Sequence, residues 1–517
     1  MNKYLALGLL LTLGISQSVS AKLVQILHTN DLHSMFDGTR NGRGGYARLK
    51  TVIDELKAKA ARQNIPTLVL DAGDFGEGST YYFSNEGVDA MKALDLLGID
   101  VTVLGNHDFM MGGKELLRQI NDSDLQATIL SANFKNKKRT GLAQKMPDYV
   151  DFDIEGMTLR IFGLTTPEIH FQYPLLPQNY IGGAHKKGIK MAEKAQRDGV
   201  DYLIALTHTG LDKDKTLASH SRTIDLIVGG HSHTRLEQPT LVENLRGNQV
   251  PIVQTGAHGM ALGSILVDIQ KDGASKMIDY RLYDITQEIP QDQTVQAFVE
   301  NAYVNRDLYF KRSWKEVIGF SEIPLSGMYN GKVRNGKSCW SQHMARLTRT
   351  AAKAELGIQF AIFQGEEIPA GDITFGDVID NFPHFRKWGD PGWNIARTKV
   401  RGMYLKQIIK ALSKMKEPIE LTMDGLMAFN GDKRPEPYQF GGKHKAEQAM
   451  INGEFLKDAR FYTIGLPSEV PYAADKLLGS FRRVLMRDLV YLEDAYYWPL
   501  LEDYIKTNSP LRCLDDN

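Results

Sequence analysis

Five apolar runs in the first half of this 517-residue chain each stop at a short polar turn, and that repetition limits the fold more than any other feature. LVQIL (23–27) runs into HTNDLHS, TLVL (67–70) into DAGD, VTVL (101–104) into GNHD, DYLIAL (201–206) into THTG and IDLIV (224–228) into GGHSHT. Apolar runs of this length, rich in Val, Ile and Leu and closed by turn residues, read as buried strands. Between them lie stretches with helical spacing: YARLKTVIDELKAKAARQ (46–63), VDAMKALDLLG (88–98) and ELLRQIN (115–121). ATILSAN (127–133), TLRIFGL (158–164), PIVQTG (251–256) and GSILVDI (263–269) add further strands. Strands alternating with helices predict an α/β layered domain whose polar residues collect at the strand ends.

The residues gathered there are metal ligands by type. Asp31 and His33 follow the first run, Asp74 the second, Asn106 and His107 the third, His208 the fourth, and His231 and His233 the fifth. A single histidine at a strand end is most often a satisfied polar side chain, and an isolated GNHD or HxH is a weak signal. The ordered set, each member behind its own strand and beside a glycine that lets the backbone turn sharply, is a strong one. Carboxylate, imidazole and carboxamide without cysteine suit Zn²⁺, Mn²⁺, Fe or Co. There are more donors than one ion needs, so two ions sharing one carboxylate is the economical reading. Two metals roughly 3.5–4 Å apart activate a water and clamp both oxygens of an in-line phosphoryl displacement.

HTNDLHS, DAGDF, GNHDF, THTG and GGHSHT, in that order, resemble the calcineurin-like metallophosphoesterases, and more narrowly the exported 5′-nucleotidase and UDP-sugar hydrolase family. The resemblance covers about residues 22–270. It implies an N-terminal β-sandwich layered with helices (22–288), a helical connector (289–318) and a C-terminal α/β substrate domain (319–517). Carried over residue by residue, it puts Asp31, His33, Asp74 and His233 around one divalent ion, and lets Asp74 bridge to a second ion held by Asn106, His208 and His231. His107 then contacts the transition-state phosphoryl oxygens or protonates the leaving alkoxide, after attack by a metal-bound hydroxide. Two departures stand out. His233 occupies a position where relatives often carry Gln, and imidazole is an acceptable ligand there. Met110 stands where relatives place the Asp that orients the catalytic histidine, and Asp108 is the remaining candidate for that part. His28 at a strand end reads as structural, and His258 (TGAHG) as a group near the ligand rim.

The chain is too long for one core, which fits two domains. Lys plus Arg and Asp plus Glu both number 62, so the electrostatic case for a nucleic-acid or anionic-membrane binder is absent. MNKYLALGLLLTLGISQSVSA (1–21) has the Lys, short apolar run and small-residue end of a cleavable signal peptide, which predicts export to the periplasm or beyond, with cleavage after Ala21. Two cysteines, Cys339 and Cys513, can pair in an oxidising compartment but are not a disulfide framework. GKVRNGKS (331–338) fits the phosphate-loop pattern, yet Pro324 and Gly327 interrupt the run before it, and it reads as a glycine-rich turn into the helix WSQHMARLTRTAAKAEL (340–356). A second helix reads at YLKQIIKALSKM (404–415).

In the resembling family the C-terminal domain holds the nucleoside. IPAGDITFGDVIDNFP (368–383) resembles its frame, but PHFRKW (383–388) stands where relatives have P-F-x-N, and the expected Arg and glycine-rich stretches are missing. Phe385, Trp388 and Tyr472 are the candidates for stacking a base, and Arg386 for pairing with phosphate. The expectation is a monomeric, exported hydrolase of nucleoside 5′-monophosphates or related nucleotides with two divalent ions. The alternatives are a phosphodiesterase or non-nucleotide phosphatase on the same core, or a weakly catalytic metal-binding recognition protein.

Overall fold

The computed structural model describes residues 22–135, 137–167, 181–271, 275–326, 328–329, 332–333, 338–412, 421–429, 435–437 and 446–514. The expected signal peptide, His170, His444 and all but three residues of 331–338 lie outside them.

The N-terminal half is a sandwich of two six-stranded sheets. In the first, β1 (Lys22–Thr29), β2 (Thr67–Asp71), β3 (Val101–Val103) and β4 (Thr128–Leu130) run parallel. The second holds β5 (Tyr149–Ile154) antiparallel to β6 (Met157–Thr165), which lies parallel to β7 (Tyr202–His208) and β8 (Leu226–Gly229). Beyond β8 come β10 (Gln249–Val253), parallel to it, and the antiparallel β9 (Thr240–Glu243). Two antiparallel strands, β11 (Ala261–Ile269) and β12 (Lys276–Asp284), close the first sheet on the far side of β1.

Strand side chains alternate between faces, and here both faces are covered. Val24 and Ile26 of β1 and Leu68 and Leu70 of β2 point into the sandwich against Ile161, Ile204, Leu206 and Val228. Leu27 and Val69, one residue out of step, face the helices Tyr46–Ala61, Val88–Leu97 and Gly113–Ser123. Helices Ala184–Asp198 and Leu211–His220 cover the second sheet. Burial on both faces is why these strands appear as unbroken apolar runs rather than alternating ones. Each such side chain contributes about 1.5–3 kcal/mol on leaving water. Parallel pairing gives the fold its functional direction, because β1, β2, β3, β7 and β8 all deliver their last residues to one rim.

Helix Gln293–Phe310 follows, capped by Asp292, whose carboxylate accepts the Val295 N–H. It packs on the first unit, with Phe298 against Phe36 at 5.5 Å and the Arg306 guanidinium 4.4 Å above the Tyr81 ring. The second unit is built on a five-stranded sheet in the spatial order Leu421–Asp424, Leu356–Phe360, Phe461–Pro467, Asn394–Arg401 and Arg487–Tyr496. Helices Cys339–Ala351 and Tyr497–Asn508 pack beside it. The helix expected over 340–356 therefore stops early: Lys353 turns left-handed at φ 47°, and Leu356 opens a strand. Ser338 precedes that helix, and its hydroxyl caps it by accepting the Ser341 N–H. One apolar cluster runs from Leu27 and Phe83 in the first unit to Trp340 and Trp498 in the second. A disulfide joins Cys339 to Cys513 across 174 positions, with Cα atoms 5.0 Å apart. No helix among the described residues is long and apolar enough to cross a membrane.

Candidate metal centre

Seven side chains meet at that rim in two groups. Asp31, His33 and His233 form one, and Asp74, His208 and His231 the other; within each, the ligand atoms lie within 4.8 Å of one another. Asp74 sits between them, its Oδ2 2.9 Å from His208 Nε2 and 3.9 Å from His33 Nε2. Asn106, the seventh, turns its carbonyl oxygen to 3.2 Å from His208 Nε2. Asp31 is fully buried and accepts the His231 N–H, while His233 is the most open of the set at 45% exposed.

The loops take this shape because the backbone is bent sharply at each ligand. Asp31, His33, Asp74, His231 and His233 all have φ between 50 and 79°, a region uncommon for residues with a Cβ and typical of strained functional sites. Buried carboxylates hold the turns in place. Asp71 accepts from the Thr29 and Thr102 hydroxyls and the Gly73 N–H, and Asn30 pins the adjoining loop through the Gly256 carbonyl and the Thr255 N–H. Two glycines are required by contact alone. A Cβ on Gly105 would lie 2.0 Å from Asp74 Oδ1, and one on Gly230 would lie 2.8 Å from the Ala72 carbonyl oxygen.

The residues fit a pair of cations by donor chemistry. His33 donates from Nδ1 to the Glu77 carbonyl at 2.6 Å, and His208 donates from Nδ1 to the Ala72 carbonyl at 2.7 Å. Both rings therefore turn Nε2 toward the cluster, which is how metal-ligating imidazoles are held. The Nε2 atoms of His33 and His233 stand 3.2 Å apart, a spacing that a shared cation satisfies. Electrostatics agree. Burial disfavours the charged form of His208, yet Asp74 and Asp31 outweigh it and push the imidazole up to about 10. Burial likewise opposes ionisation of Asp74, but His208, His107 and His33 hold that carboxyl well below its usual range. The negative potential of buried carboxylates is thus waiting for positive charge.

Both oxygens of Asp108 are engaged by backbone. Its carboxylate accepts the N–H groups of Asp74, Gly76 and Gly105 at 2.7–2.8 Å, so it braces the two candidate ligand turns. Met110 is buried in the core. The carboxylate that meets His107 is Glu77: its Oε2 lies in short contact with Nδ1. The Asp74 carboxylate also accepts the His107 N–H at 2.8 Å. Burial works against a charged His107, but Asp74 and Glu77 push it up to about 9.

Around this core the remaining histidines separate. His28 is fully buried, faces Tyr280 with ring centroids 6.2 Å apart, and is pushed down to about 3 by burial. His258 lies at the rim, edge-on to His33 and His233, with Nδ1 3.2 Å from Glu366 of the second unit. His185 and His220 pack on each other away from the centre. Phe385, Arg386 and Trp388 are not brought to the ligands. Phe385 is fully buried against Phe83, Tyr82 and Trp388; Trp388 donates to Glu115; Arg386 is bound to Glu469 and Ser468 and lies 4.8 Å from the Tyr472 ring. Tyr472 in turn stacks on Tyr491. Their contacts tie the second unit to the first and to itself. The second unit reaches the rim instead through Glu366 and His384, neither of which sequence spacing singles out.

Residues 24–235, which form most of the two-sheet sandwich and carry the candidate ligands at its rim, match the family model of the calcineurin-like phosphoesterases. Among curated proteins the chain is similar to 5′-nucleotidases. It is 30% identical to the mouse 5′-nucleotidase over 339 residues, 59% of this chain and 57% of that protein. To the human 5′-nucleotidase it is 28% identical over 332 residues, 58% of this chain and 56% of that protein. The chain spans less than two thirds of the length of these curated relatives. The fold extends further: a 5′-nucleotidase precursor from Thermus thermophilus superposes with a TM-score of 0.79 at 21% identity, covering 95% of this chain and 98% of that one. A sulfate thiohydrolase from Thermus thermophilus gives 0.71 at 17% identity, covering 95% of each.

Proposed function

We propose that the protein is a metal-dependent phosphoester hydrolase that releases phosphate from nucleoside 5′-monophosphates or related nucleotides. The observation that carries this reading is the pair of three-donor groups with Asp74 lying between them. Bound there, two divalent ions such as Mn²⁺ or Zn²⁺ supply Lewis-acid charge for the phosphoryl oxygens and activation of the attacking water. Asp31, His33, Asp74 and His233 would hold one ion, and Asp74 with Asn106, His208 and His231 would hold the other. His107, fixed through Nδ1, keeps Nε2 for the substrate and gives its proton to the departing oxygen. The nucleotide end rests on the 5′-nucleotidase relatives. The disulfide supports an oxidising compartment, periplasmic or extracellular, and the working form is a monomer of two domains, 22–288 and 319–517, joined through 289–318.

A second reading has its own support. Because Phe385, Arg386 and Trp388 are committed to packing, the ester cleaved need not carry a nucleoside, and a fold shared with a sulfate thiohydrolase accommodates other oxyanions. Phosphate release with added Mn²⁺ or Zn²⁺ decides between them. AMP and UMP turned over faster than glycerol phosphate and a chromogenic phosphodiester favour the first reading. Turnover of only the simple esters selects the second, and no metal-dependent turnover of any ester overturns both.

A further inference from the structure

Glu77 lies in the turn Gly76-Glu77-Gly78 that follows Asp74, and nothing in that turn is loose. Gly76 donates to Asp108 and its carbonyl accepts the Ser34 hydroxyl at 2.7 Å. A Cβ on Gly78, at φ 149°, would lie 2.6 Å from the His33 side chain. Held this way, the Glu77 side chain is 1% exposed. One carboxylate oxygen meets His107 Nδ1. The other stands 3.6 Å from His384 Nδ1, across the boundary to the second unit, just beyond hydrogen-bond reach. His384 is itself fixed, stacked on Trp393 with centroids 4.3 Å apart and 15° between planes, and edge-on to Phe363 and Phe382. Burial opposes the charged form of Glu77, but His107 and then His384 outweigh it and hold the carboxyl well below its usual range.

We propose that Glu77 is the positioning residue for His107, the part that Met110 cannot play, and that it shares this work with His384, so that the proton donor is complete only when the second unit is seated on the first. The proposal rests on the phosphoester-hydrolase reading above. As the P–O bond to the leaving group breaks, its oxygen takes the proton from His107 Nε2. The imidazole left behind is neutral, with its Nδ1–H still on Glu77, which neither gains nor loses a proton. An anion confined between two imidazoles from different units orients one ring and registers the presence of the other. The sequence has thus moved a carboxylate from the segment after His107 to the turn after Asp74, where it also faces the second unit.

The test compares Glu77→Gln, Glu77→Asp and His384→Phe in the full mature chain loaded with Zn²⁺. Two phosphomonoesters are used: glycerol phosphate, whose leaving alkoxide needs a proton, and 4-nitrophenyl phosphate, whose leaving phenolate does not. Glu77→Gln is expected to lower kcat on glycerol phosphate about 100-fold and on 4-nitrophenyl phosphate less than about 5-fold, with zinc content unchanged. Glu77→Asp keeps part of the rate, and His384→Phe, which preserves the stack on Trp393, costs about 10-fold on glycerol phosphate alone. Nitrogen NMR of His107 gives a second readout that needs no turnover: a fixed Nδ1–H in the native protein and an averaged tautomer in Glu77→Gln. Equal losses on both esters, or loss of zinc, overturn the positioning role, and an unchanged His384→Phe overturns the sharing. If the native protein cleaves neither ester nor AMP, the hydrolase reading has failed, and an unaltered His107 tautomer in Glu77→Gln then overturns this proposal separately.

Discussion

The rim of the first unit and the face the second unit turns toward it are built by opposite rules. At the rim, each functional side chain follows directly on a buried strand, and its position is set by backbone pairing: Thr165 and His208 are register partners, as are Thr207 and Gly229. On the facing surface, His384 and Glu366 sit on turns, and their places depend on stacking and packing with residues far away in sequence. The lesson is that strand ends fix chemistry, whereas turns packed late in the chain adjust what the chemistry sees. Such a turn can be rewritten without losing the fold, and PHFRKW is an instance.

That contrast can be broken most forcefully at Asp74. Asp74→Asn removes the charge shared by both groups; it should lower kcat/KM by several kcal/mol in barrier, roughly 10³-fold, and reduce bound metal measured by elemental analysis from two equivalents toward one. Next comes Phe385→Ala. If Phe385 serves packing, the variant loses about 3–5 kcal/mol of stability in urea unfolding, while the ratio of kcat/KM for AMP to that for glycerol phosphate stays put. A changed ratio with unchanged stability would return Phe385 to the substrate. Replacing both Cys339 and Cys513 by Ser should cost about 2–4 kcal/mol, read as a lower midpoint of thermal unfolding with metal content intact. This concerns the second unit alone.

The smallest effect sharpens the first unit. Asp214 is fully buried; one oxygen accepts from the Thr207 and Thr209 hydroxyls and burial pushes the carboxyl up to about 7. A raised carboxyl binds its proton more tightly in the folded state, so its contribution is fully present below the unfolded value near 4 and is lost as pH rises through about 7. Asp214→Asn keeps the acceptor oxygen and lacks that slope. Chemical unfolding at pH 4 and at pH 8 should show the variant gaining on the native protein as pH rises; parallel curves would exclude the assignment.

The layered fold was legible because its central strands are apolar on both faces, and the side chains that gather at the rim were legible because each follows one of those strands. The edge strands β5, β9 and β12 do not appear in the sequence reading, since half of their side chains face water: the residues of β9 alternate half-buried and exposed. Helix Ala184–Asp198 escaped for a related reason. Its buried face is Ala184, Gly188, Met191, Ala192 and Ala195, small residues that leave little apolar periodicity. Glu77 was in view, three positions past Asp74, but its partner His107 is thirty positions away and no spacing rule joins them. The vacant carboxylate at Met110 was the available signal, and it pointed to the need without naming the residue. His384 is further still, since only the packing of two units makes it a neighbour of Glu77.

Five ligands with backbone in the left-handed region hold a conformation that the chain on its own disfavours by roughly 1–3 kcal/mol at each position. Ions that bind only the folded arrangement act as mass-action stabilisers, worth about 1.4 kcal/mol for every tenfold rise in free metal above the dissociation constant. The durability of this protein is therefore expected to be written partly in the medium around it: a chelating or metal-poor surrounding should loosen the same loops that gather the candidate ligands, before any covalent bond is touched.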